Sequence, residues 1–246
     1  MLVHGLGGTS AGIWASVADE LGDELTVVTY DLRGTGGSER APGPYSLDDF
    51  VGDLRALAED LDLARPALVG HSFGGSIALA YAARYPAGVS AVVSVGGPVV
   101  LPEQGQKGMR DRAEKVESEG MASVAETVAT NGTAPSFRER DAAGFEALVA
   151  MLAANDPAAY AATCRVLADL DLRPELGRVS APVLLVAGDR DGVVPAAAGD
   201  EIEAALPNGA RRVTVEDCGH NLTVERPEVL VDEVRSFLRG QIVARA

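Results

Sequence analysis

The chain has 246 residues, a length that suits one large α/β domain, and its hydrophobic content of 47% is enough for a sizeable core. A formal net charge of −15 argues against nucleic acid and anionic membrane surfaces as partners. We see no apolar run near the roughly 18 residues of a membrane helix and no signal-peptide pattern. With only two distant cysteines, Cys164 and Cys218, the chain is expected to be cytoplasmic with both thiols free.

Strand and helix patterns alternate along the first hundred residues. Predicted strands are apolar or β-branched, and predicted helices carry apolar residues at helical spacing. In chain order they are a strand end at 1–3, a helix at 13–21, a strand at 26–30, a helix at 50–61, a strand at 67–69, a helix at 75–83 and a strand at 91–95. Ser46 and Asp49 resemble a capping box for the helix whose apolar face is Phe50, Leu54, Leu57 and Leu61. Strands that are apolar on both faces predict a mostly parallel sheet flanked by helices.

The alternation stops near residue 100, and helix patterns alone continue to about residue 179. They cover 107–119, 121–129, 145–152 and a helix that begins at Pro157 after Asp156 as N-cap. A strand at 183–187, a helix at 196–206, a strand at 212–215 and a helix at 227–238 follow. We therefore predict an α/β core at 1–101 and 180–246, with an all-helical lid at 102–179 over the C-terminal edge of the sheet, where open α/β sheets hold their sites.

One glycine-flanked serine stands between a predicted strand and a predicted helix. The sequence Gly70-His71-Ser72-Phe73-Gly74 fits a nucleophile elbow in that setting. A serine in so tight a turn adopts a strained backbone, and a Cβ two residues to either side would clash. The turn also places Ser72 at a helix N-terminus, which favours a developing negative charge. We predict that Ser72 is a nucleophile; the alternative is a glycine-rich turn with an incidental serine.

A serine nucleophile needs a base, and the chain has three histidines. The elbow turns His71 away from its neighbour Ser72, so we expect His71 to have a packing role. His4 ends the first strand and is expected to fix its loop by hydrogen bonding. His220 follows the last predicted strand and reaches the same sheet edge as the elbow. His220 is therefore the predicted base.

The base must be oriented by a carboxylate from another strand end. Asp189 and Asp191 both follow the strand at 183–187. Asp191 is favoured because it lies deeper in the turn that Pro195 closes, whereas Asp189 could instead bond its own backbone. The turn after the strand at 91–95 reads Gly-Gly-Pro and offers no carboxylate.

Two backbone amides are expected to face the reacting atoms. They are the amides of Phe73, which follows the serine, and Leu6, in the loop after the first strand. Gly5, Gly7 and Gly8 surround Leu6 and let bare backbone approach a substrate. Neither a phosphate loop nor metal-ligand spacing is present in the sequence, and the glycines near residue 5 lack the third glycine of a dinucleotide fingerprint. We expect no cofactor and no metal.

Five motifs together resemble the α/β-hydrolase superfamily over essentially the whole chain. They are His-Gly-Leu-Gly-Gly at 4–8, Asp-Leu-Arg-Gly-Thr-Gly-Gly-Ser at 31–38, Gly-His-Ser-Phe-Gly-Gly at 70–75, Gly-Asp-Arg-Asp-Gly-Val-Val-Pro at 188–195, and Cys-Gly-His at 218–220 with Glu225-Arg226-Pro227 behind it. The order Ser72, Asp191, His220 agrees with that superfamily. The segments 155–164 and 169–172 look like 3-oxoadipate enol-lactonases. The Arg-Trp-Phe lid cluster of those enzymes is replaced here by Asn-Gly-Thr-Ala-Pro at 131–135.

The motifs and the resemblance imply a serine hydrolase that cleaves a small carboxylic ester or lactone through an acyl-enzyme. The alternatives are carbon–carbon bond hydrolysis or perhydrolysis with the same three residues, and a non-catalytic receptor or regulator. The family normally has two further strands before the loop at 4–8. Either the chain starts further upstream, or the strand at 26–30 becomes a sheet edge that self-association protects. We expect the latter, and hence a homo-oligomer.

Overall fold

The computed structural model describes residues 1–243, with side chains through residue 241. Within that range six strands form one sheet in the order β2-β1-β3-β4-β5-β6, and each neighbouring pair is parallel. The strands are β1 Leu2–Val3, β2 Thr29–Tyr30, β3 Ala67–His71, β4 Ala91–Val95, β5 Val183–Gly188 and β6 Arg211–Val215. The predicted parallel sheet is confirmed.

Helices cover both faces of the sheet. They are α1 Ser10–Gly22, α2 Leu47–Asp60, α3 Phe73–Arg84, α4 Glu103–Glu119, α5 Ala125–Asn131, α6 Pro135–Arg140, α7 Ala142–Ala153, α8 Pro157–Ala168, α9 Arg173–Leu176, α10 Ala198–Ala205, α11 Leu222–Glu225 and α12 Pro227–Val243. On one face Trp14 of α1 and Leu230 of α12 are buried against the strands, and on the other face Phe50 of α2 and Ile77 of α3 are buried. Each such fully buried side chain contributes about 1.5–3 kcal/mol of hydrophobic free energy to folding.

Parallel pairing brings the loops that follow the strands to one edge of the sheet. In register, Gly70 of β3 lies beside Ser94 of β4, which lies beside Leu185 of β5. The turn after β3, the turn after β5 and the loop after β6 therefore meet at the C-terminal edge. In the described chain the segment between β4 and β5 contains helices α4 to α9 and one isolated bridge, Val100 to Asp171. The predicted core range of 180–246 runs three residues past the described chain.

Several predicted elements differ in extent from the observed ones. The strand expected at 26–30 is reduced to Thr29–Tyr30, because its neighbour β1 offers only two residues for pairing. The helix expected at 121–129 is a 3-10 turn at Met121–Ser123 followed by α5. The short helices α6 and α9 were not predicted.

The apolar face of α2 is rotated from the predicted one at its C-terminal end. Its capping box is confirmed, since the Ser46 hydroxyl accepts from the Asp49 amide and the Asp49 carboxylate accepts from the Ser46 amide. Leu61, expected on the buried face, is 43% exposed and lies just past the end of the helix, whereas Ala58 is buried. In the described chain β2 lies at the sheet edge. Self-association along that edge stays a prediction.

Candidate active site

The backbone at Ser72 is strained, as the elbow motif predicts. Ser72 has φ +53° and ψ −123°, outside the regions that side-chain-bearing residues usually adopt. A Cβ at Gly70 would overlap the carbonyl of Gly74, and a Cβ at Gly74 would overlap the carbonyl of Val3. The two glycines therefore allow β3, the turn and α3 to approach closely enough to hold Ser72 at the tip.

Three side chains form a continuous hydrogen-bond chain at the sheet edge. His220 Nε2 lies 2.8 Å from Ser72 Oγ, and His220 Nδ1 lies 2.8 Å from Asp191 Oδ2. Because the carboxylate can only accept, Nδ1 carries the proton and Nε2 accepts from the Ser72 hydroxyl. Asp191 and His220 are 8% and 7% exposed, so the hydrogen bond between them is shielded from water. The structure thus brings the predicted serine, histidine and aspartate together.

Asp189, two residues before Asp191, makes a different hydrogen bond from that of Asp191. Asp189 Oδ1 accepts from the amide of Cys218 at 3.2 Å, which ties the β5 turn to the β6 loop. Asp191, in contrast, accepts from the amides of Val193 and Val194 through Oδ1, at 2.8 Å each, while Oδ2 bonds His220. Two backbone donors fix the Asp191 carboxylate in the orientation that the imidazole needs. Of the two aspartates that the sequence left open, the geometry favours Asp191.

The loop that carries His220 is held by contacts that sequence analysis did not assign. Glu225 Oε2 accepts from the amide of Gly219 at 3.0 Å and from the amide of Ala134 at 2.9 Å. Burial raises the pKa of the Glu225 carboxyl, against the opposing effect of these amide donors. His71 Nε2 donates to the carbonyl of His220 at 2.9 Å, so His71 supports the loop as well as packing in the core.

His4 anchors the loop that carries Leu6. The amide of Leu32 donates to His4 Nε2 at 2.9 Å, so the ring proton is on Nδ1, which donates to the carbonyl of Gly5 at 2.8 Å. Complete burial lowers the pKa of His4 to about 4, which keeps the ring neutral. The expectation that His4 fixes its loop by hydrogen bonding is confirmed.

The predicted amide donors lie next to Ser72. A Cβ at Gly5 would stand 2.7 Å from Ser72 Cβ, so the Gly5–Leu6 backbone runs directly against the serine. Phe73 follows Ser72 at the first position of α3, where amides lack intrahelical acceptors. Within residues 1–243 no acceptor takes the amide hydrogen of Leu6 or Phe73. Both donors are therefore free to bind an oxygen at this place.

A pocket of about 790 Å³, including its open mouth, lies over Ser72 and His220. Its wall is mainly aliphatic, and the segment between β4 and β5 contributes Leu101, Met109, Leu148, Leu152 and Leu167, among others. Arg112 is the one Lys, Arg, Asp or Glu among the described lining residues, and Tyr160 also lines the pocket. Neither residue was singled out from the sequence. In the case of Arg112 the reason is that it belongs to a helix whose charged residues fit a solvated face.

Metal-ligand clusters and membrane spans were also sought in residues 1–243. No group of three or more His, Cys, Asp or Glu side chains there is placed to hold a metal ion. No helix in the same range is both long and apolar enough to cross a membrane.

Comparison with known proteins places these features in a family. Residues 1–227 match the model of the family described as alpha/beta hydrolase fold. The chain belongs to the α/β-hydrolase family. The resemblance inferred from the five motifs is therefore confirmed, and with it the fold class.

Relatives of this α/β hydrolase include enol-lactonases and esterases. The chain is 29% identical to 3-oxoadipate enol-lactonase 2 of Acinetobacter baylyi over 232 residues, which are 94% of this chain and 85% of that one. The enol-lactonase of Burkholderia xenovorans superposes with a TM-score of 0.91 at 29% identity, covering 97% of this chain and 90% of that one. A malate-bound thermophilic esterase of Thermogutta terrifontis superposes with a TM-score of 0.91 at 27% identity, covering 98% and 89%. Family and relatives support hydrolase activity.

Proposed function

We propose that this α/β hydrolase is a serine hydrolase that cleaves a small carboxylic ester or lactone through an acyl-enzyme. The observation that carries the proposal is the series of hydrogen bonds from Ser72 through His220 to Asp191. Ser72 and His220 line a largely aliphatic pocket. The similarity to enol-lactonases and an esterase supports the same reaction class.

In the first half of the reaction Ser72 Oγ attacks the acyl carbon. His220 Nε2 takes the hydroxyl proton, and Asp191 stabilises the imidazolium through its bond to Nδ1. The carbonyl oxygen gains the negative charge and is bound by the amides of Leu6 and Phe73. His220 then returns the proton to the leaving oxygen as the carbon–oxygen bond breaks, which leaves an acyl group on Ser72.

In the second half water replaces the leaving alcohol or enol. His220 takes a proton from water as its oxygen attacks the acyl carbon, and it gives that proton to Ser72 Oγ when the ester bond to the enzyme breaks. The aliphatic wall formed by residues 102–179, which we propose to be a lid, excludes bulk water and shapes the acyl site. For a lactone the leaving oxygen stays on the same molecule, and the same steps open the ring.

A substrate panel with a serine variant tests the proposal. The panel contains 4-nitrophenyl acetate, γ- and δ-lactones, an enol-lactone, a 1,3-diketone and hydrogen peroxide with acetate. It is assayed with wild type, Ser72→Ala and the control Ser118→Ala, which changes an exposed serine of α4. We expect wild type and Ser118→Ala to hydrolyse at least one ester or lactone at equal rates. Ser72→Ala should lose about 10⁴-fold or more in kcat, as removal of a catalytic serine does.

Three results would overturn the proposal. They are a wild-type protein inactive on every ester and lactone, an active Ser72→Ala variant, and turnover confined to 1,3-diketones or to peroxide with acetate. An inactive wild-type protein would favour the hypothesis of a non-catalytic receptor or regulator. Turnover confined to 1,3-diketones or to peroxide with acetate would favour carbon–carbon bond hydrolysis or perhydrolysis.

A further inference from the structure

A series of hydrogen bonds between peptide groups ends at the Leu6 amide. The Gly8 amide donates to the carbonyl of Gly5 at 3.1 Å, and this carbonyl belongs to the same peptide group as the Leu6 amide. The Gly8 amide in turn shares its peptide group with the carbonyl of Gly7. Both peptide groups are trans, so each N–H points away from its own carbonyl and the two dipoles follow each other head to tail. Such a series strengthens its last donor, which is the Leu6 amide.

The Asn155 side chain supplies the first donor of this series. Its Nδ2 lies 2.9 Å from the carbonyl oxygen of Gly7, across 148 positions of the sequence, and 3.0 and 3.2 Å from the carbonyl oxygens of Met151 and Leu152. Carbonyl oxygens only accept, so three of them around one atom require the amide nitrogen at that place and exclude the amide oxygen. Asn155 therefore donates to Gly7 and to the last turn of α7 with the same group.

Close packing keeps Asn155 at this place. A Cβ at Gly7, where φ is +73°, would stand 2.8 Å from Leu152 Cδ2, so the end of α7 rests directly on the loop at that point. On the other side of Asn155, Asp156 begins α8 by accepting from the amide of Ala159 at 2.9 Å. The two helix ends fix the short turn between them, and with it the amide nitrogen that faces Gly7.

We propose that Asn155 is a positioning residue for the Leu6 amide that binds the oxyanion, and that the segment between β4 and β5 thereby takes part in stabilising the transition state. Asn155 is not one of the described residues that line the pocket over Ser72, so it acts through the peptide groups of Gly7 and Gly5. This inference rests on the proposed function, because it names a further residue that the same reaction uses.

A donor for a developing negative charge acts best when it is fixed before the charge forms. Removing one such donor outright costs about 10²–10³-fold in kcat. Without the Asn155 amide, the carbonyl of the buried residue Gly7 loses a donor, and burial makes that loss costly. We expect the turn to shift toward a new donor, which moves the Leu6 amide away from the oxyanion and weakens its polarisation.

Steady-state kinetics with 4-nitrophenyl acetate tests the proposal through the separate effects on kcat and KM. The proteins are wild type, Asn155→Ala, Asn155→Asp and the control Asp141→Ala. Asn155→Asp keeps the size of the side chain but places an oxygen opposite the carbonyl of Gly7. Asp141→Ala removes the N-cap of the same helix α7, where the carboxylate accepts from the Gly144 amide at 2.9 Å, and leaves Asn155 in place.

We expect kcat to fall about tenfold or more in both Asn155 variants, which is a fraction of the cost of removing the donor itself. KM should stay within about twofold of wild type, because the oxyanion forms only on the way through each half-reaction. Asp141→Ala should keep the wild-type kcat and KM. A wild-type kcat in either Asn155 variant, a loss expressed in KM alone, or an equal fall of kcat in Asp141→Ala overturns the positioning role.

Hydrogen exchange at the Gly8 amide separates this inference from the proposed function. NMR follows this amide in the protein without substrate, so no turnover is needed. Exchange should be at least about tenfold faster in Asn155→Ala than in wild type, because the turn opens locally, and unchanged in Asp141→Ala. Unchanged exchange in Asn155→Ala overturns the positioning role, even if Ser72 proves to be the nucleophile. An active Ser72→Ala variant overturns the proposed function, even if exchange is faster in Asn155→Ala.

Discussion

At the scale of single residues, the turns after three strands supply the three groups that meet. Ser72 follows β3, Asp191 follows β5 and His220 follows β6, and each loop is tied by backbone hydrogen bonds. Gly96, in the turn after β4, lies against two of these three groups. It has φ +59°, and a Cβ there would stand 3.1 Å from His220 Nδ1 and 3.3 Å from Asp191 Oδ2. The absence of a side chain at Gly96 leaves room for the imidazole–carboxylate pair.

The two aspartates of the β5 turn provide a matched test at this scale. Asp191→Asn should lower kcat for 4-nitrophenyl acetate by about 10³–10⁴-fold, because the amide no longer stabilises the imidazolium or selects its tautomer. Asp189→Asn keeps an oxygen that can accept from the Cys218 amide and should lose less than about tenfold. Steady-state kinetics at pH 8 measures both. Equal losses in the two variants, or a larger loss in Asp189→Asn, would contradict the assignment of the orienting role to Asp191.

At the scale of elements, side-chain hydrogen bonds connect the β6 loop to the segment before α6. Glu225, at the end of α11, accepts from Gly219 in the loop and from Ala134, which precedes α6. Asn221 strengthens the join, because its amide and its side chain both donate to the carbonyl of Gly132, at 2.9 Å each. The position of His220 therefore depends on contacts with the segment between β4 and β5.

Glu225→Gln tests this join. The substitution removes the charge that strengthens both amide bonds, so we expect a loss of about 1–2 kcal/mol in the free energy of unfolding. We also expect a kcat several-fold lower, because His220 follows Gly219 directly. Glu228→Gln, at an exposed position in the first turn of α12, should change neither quantity measurably. Urea unfolding and ester kinetics give the two readouts, and wild-type values for Glu225→Gln would contradict the positioning role.

At the scale of the whole molecule, two buried neutral histidines link stability to pH. Burial lowers the pKa of His4 to about 4 and that of His71 to about 3, from an ordinary value near 6.5. Below pH 6.5 the unfolded chain takes up protons at these positions that the folded chain does not. The free energy of unfolding contributed by the two rings is therefore fully present above pH 6.5 and is lost as the pH falls toward 4 and 3.

The slope of that pH dependence is measurable with His71→Gln. Urea unfolding between pH 5 and 6.5 should show stability rising with pH in wild type, with a slope shallower by up to about 1.4 kcal/mol per pH unit in the variant. Ser72→Ala, which removes no group that titrates in this range, should keep the wild-type slope. An identical slope in His71→Gln would mean that His71 is already protonated in the folded protein.

How far the sequence predicts this molecule depends on the range of the interactions involved. The elbow and the aspartate turn are local patterns between a predicted strand and a predicted helix, so the sequence predicts Ser72 and favours Asp191 over Asp189. Glu225 and Tyr160 act across the fold: Glu225 bonds a residue 91 positions away, and Tyr160 meets Arg112 between two helices. No local pattern distinguishes Arg112 from the paired cations of α4. The strand at 26–30 was overestimated because its length depends on its neighbour β1 rather than on its own β-branched residues.

The most direct test of the central claim is covalent trapping of the nucleophile with the organophosphate paraoxon, followed by mass spectrometry of the digested protein. We predict one diethylphosphoryl group per chain, on Ser72, with loss of esterase activity in proportion to labelling. Labelling should be at least about 100-fold slower in His220→Ala, because the base that activates the hydroxyl is missing. An adduct on another residue, or full inhibition without modification of Ser72, would contradict the account.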